Sequence, residues 1–433
     1  MIVRDPLRLW IAKNIHLLMF LGIYFATVVA GNLLYASPWG HAILDRINYP
    51  TEFLAFDYVF TAGFWLLLLC PFAIAPLVVT LVKRFAERPM AAISSALPEF
   101  RRIDYLVIAG ALFVYLAYSF YTADAISLMM RGTDDASAVN ARFELRSRIG
   151  FPALAILQSL LVYLSIYALV RALRSGEWFW RGASVVSIGG VATFLLLLNM
   201  KWPIVLFFGS LVLAFFIYGR KTRIVYVVFA MGTAGVVLAY LVVSMFIFRT
   251  GLVSDGETRA SYFMRIAQTS LQFAPDLALA AVNRMAVSYP YYYETFTEDG
   301  QVCGGLLEQA RRGPVCRPST YIYTRIFGDD GWRGTGTSPA AVHISGYAIG
   351  GWPLAFVGIV LASVVLGLFA SLPIDKSATV GATVIVGALA GYHFSQIPGE
   401  GVFIYDHGLL WAFLMVVAYA LWRWSQSKIR LPA

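Results

Sequence analysis

Residues 58–82 read YVFTAGFWLLLLCPFAIAPLVVTLV, 25 positions without one charged side chain. A helix needs about 20 apolar residues to cross roughly 30 Å of hydrocarbon, so this run reads as a membrane span. Comparable runs recur at Ile15–Leu34, Tyr105–Tyr121, Phe151–Val170, Ala183–Met200, Ile204–Tyr218, Ile224–Ile247, Pro353–Leu372, Ala378–Phe394 and Val402–Trp422, ten spans in all. The expected fold class is all-α: a polytopic membrane protein of about ten transmembrane helices with one large outer loop. Composition agrees, since 59% hydrophobic and 13% charged residues with a mean hydropathy of +0.71 leave too little charge to cover a soluble surface. The alternation of an outer-membrane barrel is absent. Arg4, Arg8 and Lys13 precede the first run and no small-residue cleavage signal follows it, which reads as a retained helix rather than a signal peptide.

The largest break in this pattern, Arg249 to Ile349, divides the chain into three: spans one to seven in 1–248, a polar loop with short helices in 249–352, and the last three spans with the C-terminal tail in 353–433. An N-terminus on the cytoplasmic side leaves +12 inside and −3 outside, which together make the net +9, and the positive-inside rule selects that orientation. Both termini are then cytoplasmic and the large loop lies outside. The basic runs Lys83, Arg84, Arg88 and Arg220, Lys221, Arg223 become topology signals beside anionic head groups rather than a nucleic-acid surface. The spans carry almost no ionisable residue beyond His16, which counts against a proton-coupled pump.

On the outer side every basic residue except Lys201 is an arginine. Arginine is a fixed cation whose planar fork matches phosphate or carboxylate, so this surplus reads either as anion binding or as pairing with the outer carboxylates. Lys201 lies in the tight turn between spans five and six, and Arg249 directly follows span seven; both stand at the head-group level. A helical pattern from Thr258 places Arg259 and Arg265 near one another, and Pro275 opens a helix to Ser288 with Asp276, Ala280 and Arg284 on one face before a stop at Pro290. Tyr289, Tyr291, Tyr292 and Tyr293 follow, beside Glu294. These rings suit stacking on sugars or an aromatic belt at the membrane surface, and Glu294 is the outer carboxylate best placed to take a proton from a hydroxyl.

Cys303 and Cys316 fall in the same loop and form either a bridge, if the loop faces an oxidising compartment, or two free thiols. Arg333 sits in a glycine-rich stretch ending in Ser338-Pro339, which reads as an N-cap and first turn whose exposed N–H groups would seat a phosphate. The helix that follows places His343 and Tyr347 on one face. No HxxxH or HExxH spacing occurs, so neither metal nor cofactor is expected.

The layout resembles the Wzy-type polysaccharide polymerases of the oligosaccharide repeat unit kind. The resemblance is carried by a basic tight turn after a Leu-rich span (Leu195–Leu198, Asn199, Met200, Lys201) and a large late loop. It is carried also by the run SPAAVHISGYAIGGWPLAFVG, 338–358, that leads into the next span. Many such proteins have arginine where this chain has Lys201, and an acidic residue near Ser345. The resemblance implies a C-type glycosyltransferase scaffold in a bacterial inner membrane with its large loop in the periplasm. It implies undecaprenyl-diphosphate-linked glycans as donor and acceptor, membrane lipids around it, and a chain-length regulator as partner. Under that reading Arg284, His343 and Glu294 are the expected catalytic residues. Lys201, Arg249, Arg259, Arg265, Arg333, Tyr291, Tyr292 and Tyr347 are the expected substrate contacts. An O-antigen ligase shares the same features, and a lipid-linked oligosaccharide transporter is the rival from another class, although no repeated halves are visible.

Overall fold

The computed structural model describes residues 5–38, 56–130, 135–198, 200–219, 224, 225, 227, 228, 231, 232, 261, 264, 265, 268, 286–310, 316–328, 337, 338, 340–396 and 408–429. Among the described residues every regular element is a helix. The first, α1 (Pro6–Tyr35), opens under an Asp5 cap whose carboxylate accepts from Leu7 N at 3.0 Å, and it widens into a π-turn at Phe25–Val29. A short turn α2 (Phe56–Val59) precedes α3 (Ala62–Ala96), α4 (Arg102–Thr122) and α5 (Ala125–Met130). Next, α6 (Asp135–Ala155) runs through a second π-turn into α7 (Leu161–Ser175), followed by α8 (Trp178–Leu198) and α9 (Lys201–Tyr218). In the polar loop the described residues include α10 (Ser288–Glu298), α11 (Leu306–Ala310) and α12 (Pro318–Phe327). The chain then forms α13 (Val342–Ala370), α14 (Ala378–Gln396) and α15 (Leu409–Ile429).

Seven stretches among the described residues are long and apolar enough to cross a membrane, so the protein is a multi-pass membrane protein. The expected span at Ile224–Ile247 falls almost wholly outside the described residues. Several spans outrun their apolar cores. Helix α1 starts at Pro6 rather than Ile15, and α3 continues through Lys83, Arg84 and Glu87 to Ala96. It stops where Leu97, pushed to an extended backbone by the following Pro98, can no longer stay helical.

The bundle is organised around α14 and the α6–α7 helix, whose apolar windows are 83% and 78% buried against 28% for α4 and α8. Small residues allow that centrality: a Cβ on Gly391 would lie 2.4 Å from the His16 carbonyl, so α1 and α14 touch backbone to backbone. We name the end of the bundle bearing Tyr35, Ala62 and Trp352 the loop end. At the opposite end Arg8, 1% exposed, donates to the carbonyls of Phe216 (2.6 Å), Ile217 (3.2 Å) and Gly219 (2.8 Å), closing the end of α9. There also Glu99 pairs with Arg171 and accepts from Ala378 N at 2.8 Å, while Tyr419 donates to Asp104 at 2.8 Å.

Helix α13 is broken at Gly350 and Gly351, and the latter has φ 64°, a left-handed conformation that favours glycine. The break is a reversal. A Cβ on Gly358 would stand 3.1 Å from the Val342 carbonyl, and one on Gly346 would stand 2.4 Å from that of Leu354. In a straight helix Val342 and Gly358 would lie about 24 Å apart. Residues 342–349 therefore climb toward the loop end alongside 352–358, which descend from it, and the membrane-crossing part of α13 begins at Trp352. Irregular backbone this deep survives only when enclosed by protein, and Ala340 and Ala341 are both 0% exposed.

Candidate functional site at the loop end

Helix α10 lies across the loop ends of α1 and α3 and beside the rising arm of α13. Pro290 occupies its first turn, where the missing N–H had no partner to lose; the helix expected over 275–288 lies almost wholly outside the described residues. Tyr289, Tyr291, Tyr292 and Phe296 turn inward to form a buried cluster with Tyr24, Tyr35, Phe64, Leu67, Ile322, Ile326 and Ile344. The Tyr289 hydroxyl accepts from Ala341 N at 2.9 Å, and the Tyr292 hydroxyl donates to the Ser338 carbonyl at 3.4 Å. Tyr291 and Tyr292 are each 1% exposed, so they are neither open sugar platforms nor a surface belt; they pack the cap onto the bundle. Burial moves the Tyr291 hydroxyl up to about 12, with the nearby Glu294 charge adding to the rise, and leaves it neutral at working pH.

Nearer the surface, Tyr293 stacks on Tyr347 with ring centroids 5.8 Å apart, and the Tyr347 hydroxyl meets Thr297 Oγ1 at 2.8 Å. Tyr58 packs edge-on against Tyr293 and donates to the Glu298 carboxylate, a bond that raises its own hydroxyl to about 12. The charged centre of this region is Glu294, whose carboxylate lies 3.3 Å from the guanidinium of Arg325 on α12. Arg325 reaches two further groups on α10: Nη1 donates to Thr295 Oγ1 and lies 3.9 Å from Asp299. Burial raises the Glu294 carboxyl above its ordinary range; Arg325 opposes that shift, while Glu298 and Asp299 add to it. A half-buried carboxylate tuned upward in this way is a better proton acceptor than a fully solvated one.

The strap that precedes α12 in the chain is cross-linked. Cys303 and Cys316 are joined by a disulfide with Cα atoms 4.9 Å apart, and Gln309 Nε2 donates to both of their carbonyls, at 2.6 and 2.9 Å.

Two expectations are corrected here. Ser338 does not cap α13: the helix starts at Val342 after Ala341, while Ser338 N donates to the Ser319 carbonyl at 2.9 Å. The N–H of Ala341 is already taken by Tyr289, and the glycine-rich stretch 329–336 expected to seat a phosphate lies outside the described residues. His343 is interior, 0% exposed, with Nε2 3.1 Å from the Tyr24 hydroxyl and the Leu67 backbone beside it. Leu67 is five residues into α3, about 8 Å below its loop end. His343 is thus enclosed by protein on all sides in this structure. Tyr347, 5% exposed, is a packing residue of the cap as well.

Among the expected cation contacts, Arg265 is helical and exposed. Lys201 is the first residue of α9, directly after Met200, and its side chain lies outside the described residues. Arg249, Arg259, Arg284 and Arg333 lie outside them too. Among the described residues no group of three or more His, Cys, Asp or Glu side chains is placed to hold a metal ion. Arg325 and Tyr58 were not singled out in the sequence. Arg325 was one of many outer arginines, and its contact with Glu294 spans 31 residues and two helices. Comparison with known proteins finds no matching family model, no matching curated protein and no matching solved structure.

Proposed function

We propose that the protein is a membrane glycosyltransferase of the polysaccharide-polymerase kind. It joins lipid-diphosphate-linked oligosaccharide repeat units at the periplasmic face of a bacterial inner membrane, with ten spans, both termini cytoplasmic, and no metal. The observation that carries this reading is Glu294: a carboxylate half-buried at the loop end, raised by that burial and held beside Arg325. In the reaction the acceptor hydroxyl attacks the anomeric carbon of the donor sugar. Its proton passes to the Glu294 carboxylate, the bond from carbon to the diphosphate oxygen breaks, and the lipid diphosphate leaves with the electron pair. A sugar on a diphosphate already has a good leaving group, so positioning and fixed positive charge supply most of the remaining acceleration. Lys201, Arg249, Arg259, Arg265, Arg284 and Arg333 are the basic residues of the outer segments proposed for that charge. The positive-inside distribution of +12 and −3 supports the orientation.

The test is incubation of the purified protein with a lipid-linked repeat unit, followed by separation of products by length. A ladder of multiples supports polymerisation. Transfer only to an added lipid or protein acceptor replaces it with a ligase, and an unchanged substrate sinks the glycosyltransferase reading in favour of transport.

A further inference from the structure

We infer that Arg325 is a positioning residue, which grips α10 from α12 at three points and so holds the Glu294 carboxylate in place and ready to accept a proton. The inference rests on the reading of Glu294 as the base, and it adds a residue and a structural linkage that the reaction alone does not require.

The grip is asymmetric in a way that suits this task. Of the three contacts, Thr295 and Asp299 stand one turn apart on α10, so they fix the guanidinium along the helix axis, and Glu294 is the remaining carboxylate in reach. Glu294 and Arg325 are 21% and 33% exposed, so their attraction is less screened than that of a surface pair. Of the polar groups facing Glu294, the carboxylates of Glu298 and Asp299 on α10 disfavour its ionised form, while the hydroxyls of Tyr291 on the same helix, Tyr35 at the end of α1 and Tyr58 on α2 are neutral and set no charge against it. Arg325 is therefore the one cation among the described groups that opposes burial at this carboxylate.

The arm bearing Arg325 is itself anchored. Ile322 and Ile326 are buried at 0% and 1% exposure against α10, and the Ser319 carbonyl accepts from Ser338 N. At its start, Arg317 and Pro318 directly follow the disulfide-bonded Cys316. Arg325 occupies the last turn of α12, where the helix dipole favours a cation. The cross-linked strap thus ends where the arm begins, and the arm ends at the carboxylate.

The experiment uses the full chain in detergent. Glu294 is labelled with a water-soluble carbodiimide and an amine across a pH series, and labelling is read by peptide mass in the wild type, Arg325→Gln and Arg325→Lys. Carbodiimide attacks the protonated carboxyl, so the labelling midpoint follows Glu294 itself and needs no polymerase activity. Removing a cation within 4 Å raises a carboxyl by about one pH unit or more, so the Gln variant's midpoint moves up by about one unit and the Lys variant's by less. An unmoved midpoint in the Gln variant, with the Cys303–Cys316 bridge intact in a non-reducing digest, overturns the inference. If that variant does not fold, the same criterion applies to Arg325→Met, which also removes the charge but keeps the apolar stem. Polymer yield measured over the same pH series judges the underlying reading separately. A shifted acid limb supports both, whereas a shifted labelling midpoint with an unshifted yield profile keeps the grip and removes Glu294 as the base.

Discussion

The two ends of the bundle use charge in opposite ways. At the end away from the loop, Arg8 is spent on three backbone carbonyls, Glu99 on Arg171 and a helix-start N–H, and Asp104 on Tyr419. Each of these groups closes a helix terminus or ties two helices together, and the charges are absorbed by the fold. At the loop end, Glu294 is partly buried with two acidic neighbours on its own helix and a single arginine opposing them, and its carboxyl is raised as a result. A fold does not need that arrangement: a neutral side chain at the position would avoid the cost of desolvation. The difference teaches where to look for chemistry, since perturbed ionisable groups not explained by helix closure are the better functional candidates.

The sharpest way to break the contrast is Glu294→Gln. If the carboxylate takes the acceptor's proton, polymer yield falls by roughly 100- to 10,000-fold, the usual range for loss of a general base, while the melting temperature in detergent stays near the wild type. Loss of a folded protein with unchanged turnover per remaining molecule would make Glu294 another structural charge like Glu99. The counterpart at the far end is Arg8→Ala. It strips donors from three carbonyls at the end of α9 and is expected to cost about 3 kcal/mol of stability, read by thermal unfolding, with yield per folded molecule unchanged. A fall in specific yield there would erase the distinction between the two ends.

How much of this was legible follows from which contacts are local. The span starts at Phe151 and Pro353 were readable because a glycine that leaves the helix stands one or two residues before each, Gly150 at φ 73° and Gly351 at φ 64°, so apolar patterning and backbone break coincide. The helices that carry the runs from Ile15 and Ala183 begin earlier, at Pro6 and Trp178, because a helix keeps its hydrogen bonds past its apolar run and ends at a cap or a proline rather than where charge appears. The reversal of residues 342–349 against 352–358 was not legible. HISGYAI has the same composition as a surface helix of the cap, and only the close approach at Gly346 and Gly358 reveals that it lies inside. His343 and the tyrosines were misplaced for that reason: their residue types fit a ligand site, but their neighbours are protein. Glu294 could be singled out from its place beside the aromatic run, whereas Arg325 could not, since nothing local joins α12 to α10.

Cutting the strap measures how far the cap's geometry depends on it. The bridge closes a separation of 13 residues, a loop size for which cross-linking contributes about 3 kcal/mol in the chain-entropy account. The double variant Cys303→Ser, Cys316→Ser is expected to speed hydrogen exchange across α12 and leave α14 unchanged. Gln309 keeps some order through its two carbonyl contacts, so the effect on polymer yield is a partial loss. Equal loosening of α14 would mean that the two ends are one cooperative unit and that the contrast drawn between them has no energetic content.

The smallest expected effect is the most discriminating about the tyrosines. The Tyr291 hydroxyl is buried in a 1% exposed residue and has no hydrogen-bond partner among the described residues, whereas the hydroxyls of Tyr289 and Tyr292 are both bonded. An unsatisfied buried hydroxyl costs about 1 kcal/mol or more, so Tyr291→Phe relieves that cost while keeping the ring. If the ring only packs the cap, the variant melts at or above the wild-type temperature and polymer yield is unchanged. Phenylalanine cannot donate or accept, so a loss of more than tenfold in yield without loss of stability would mean that the hydroxyl finds its partner in the bound glycan. In that case the buried cluster, and not only its Glu294 edge, would open to form the site.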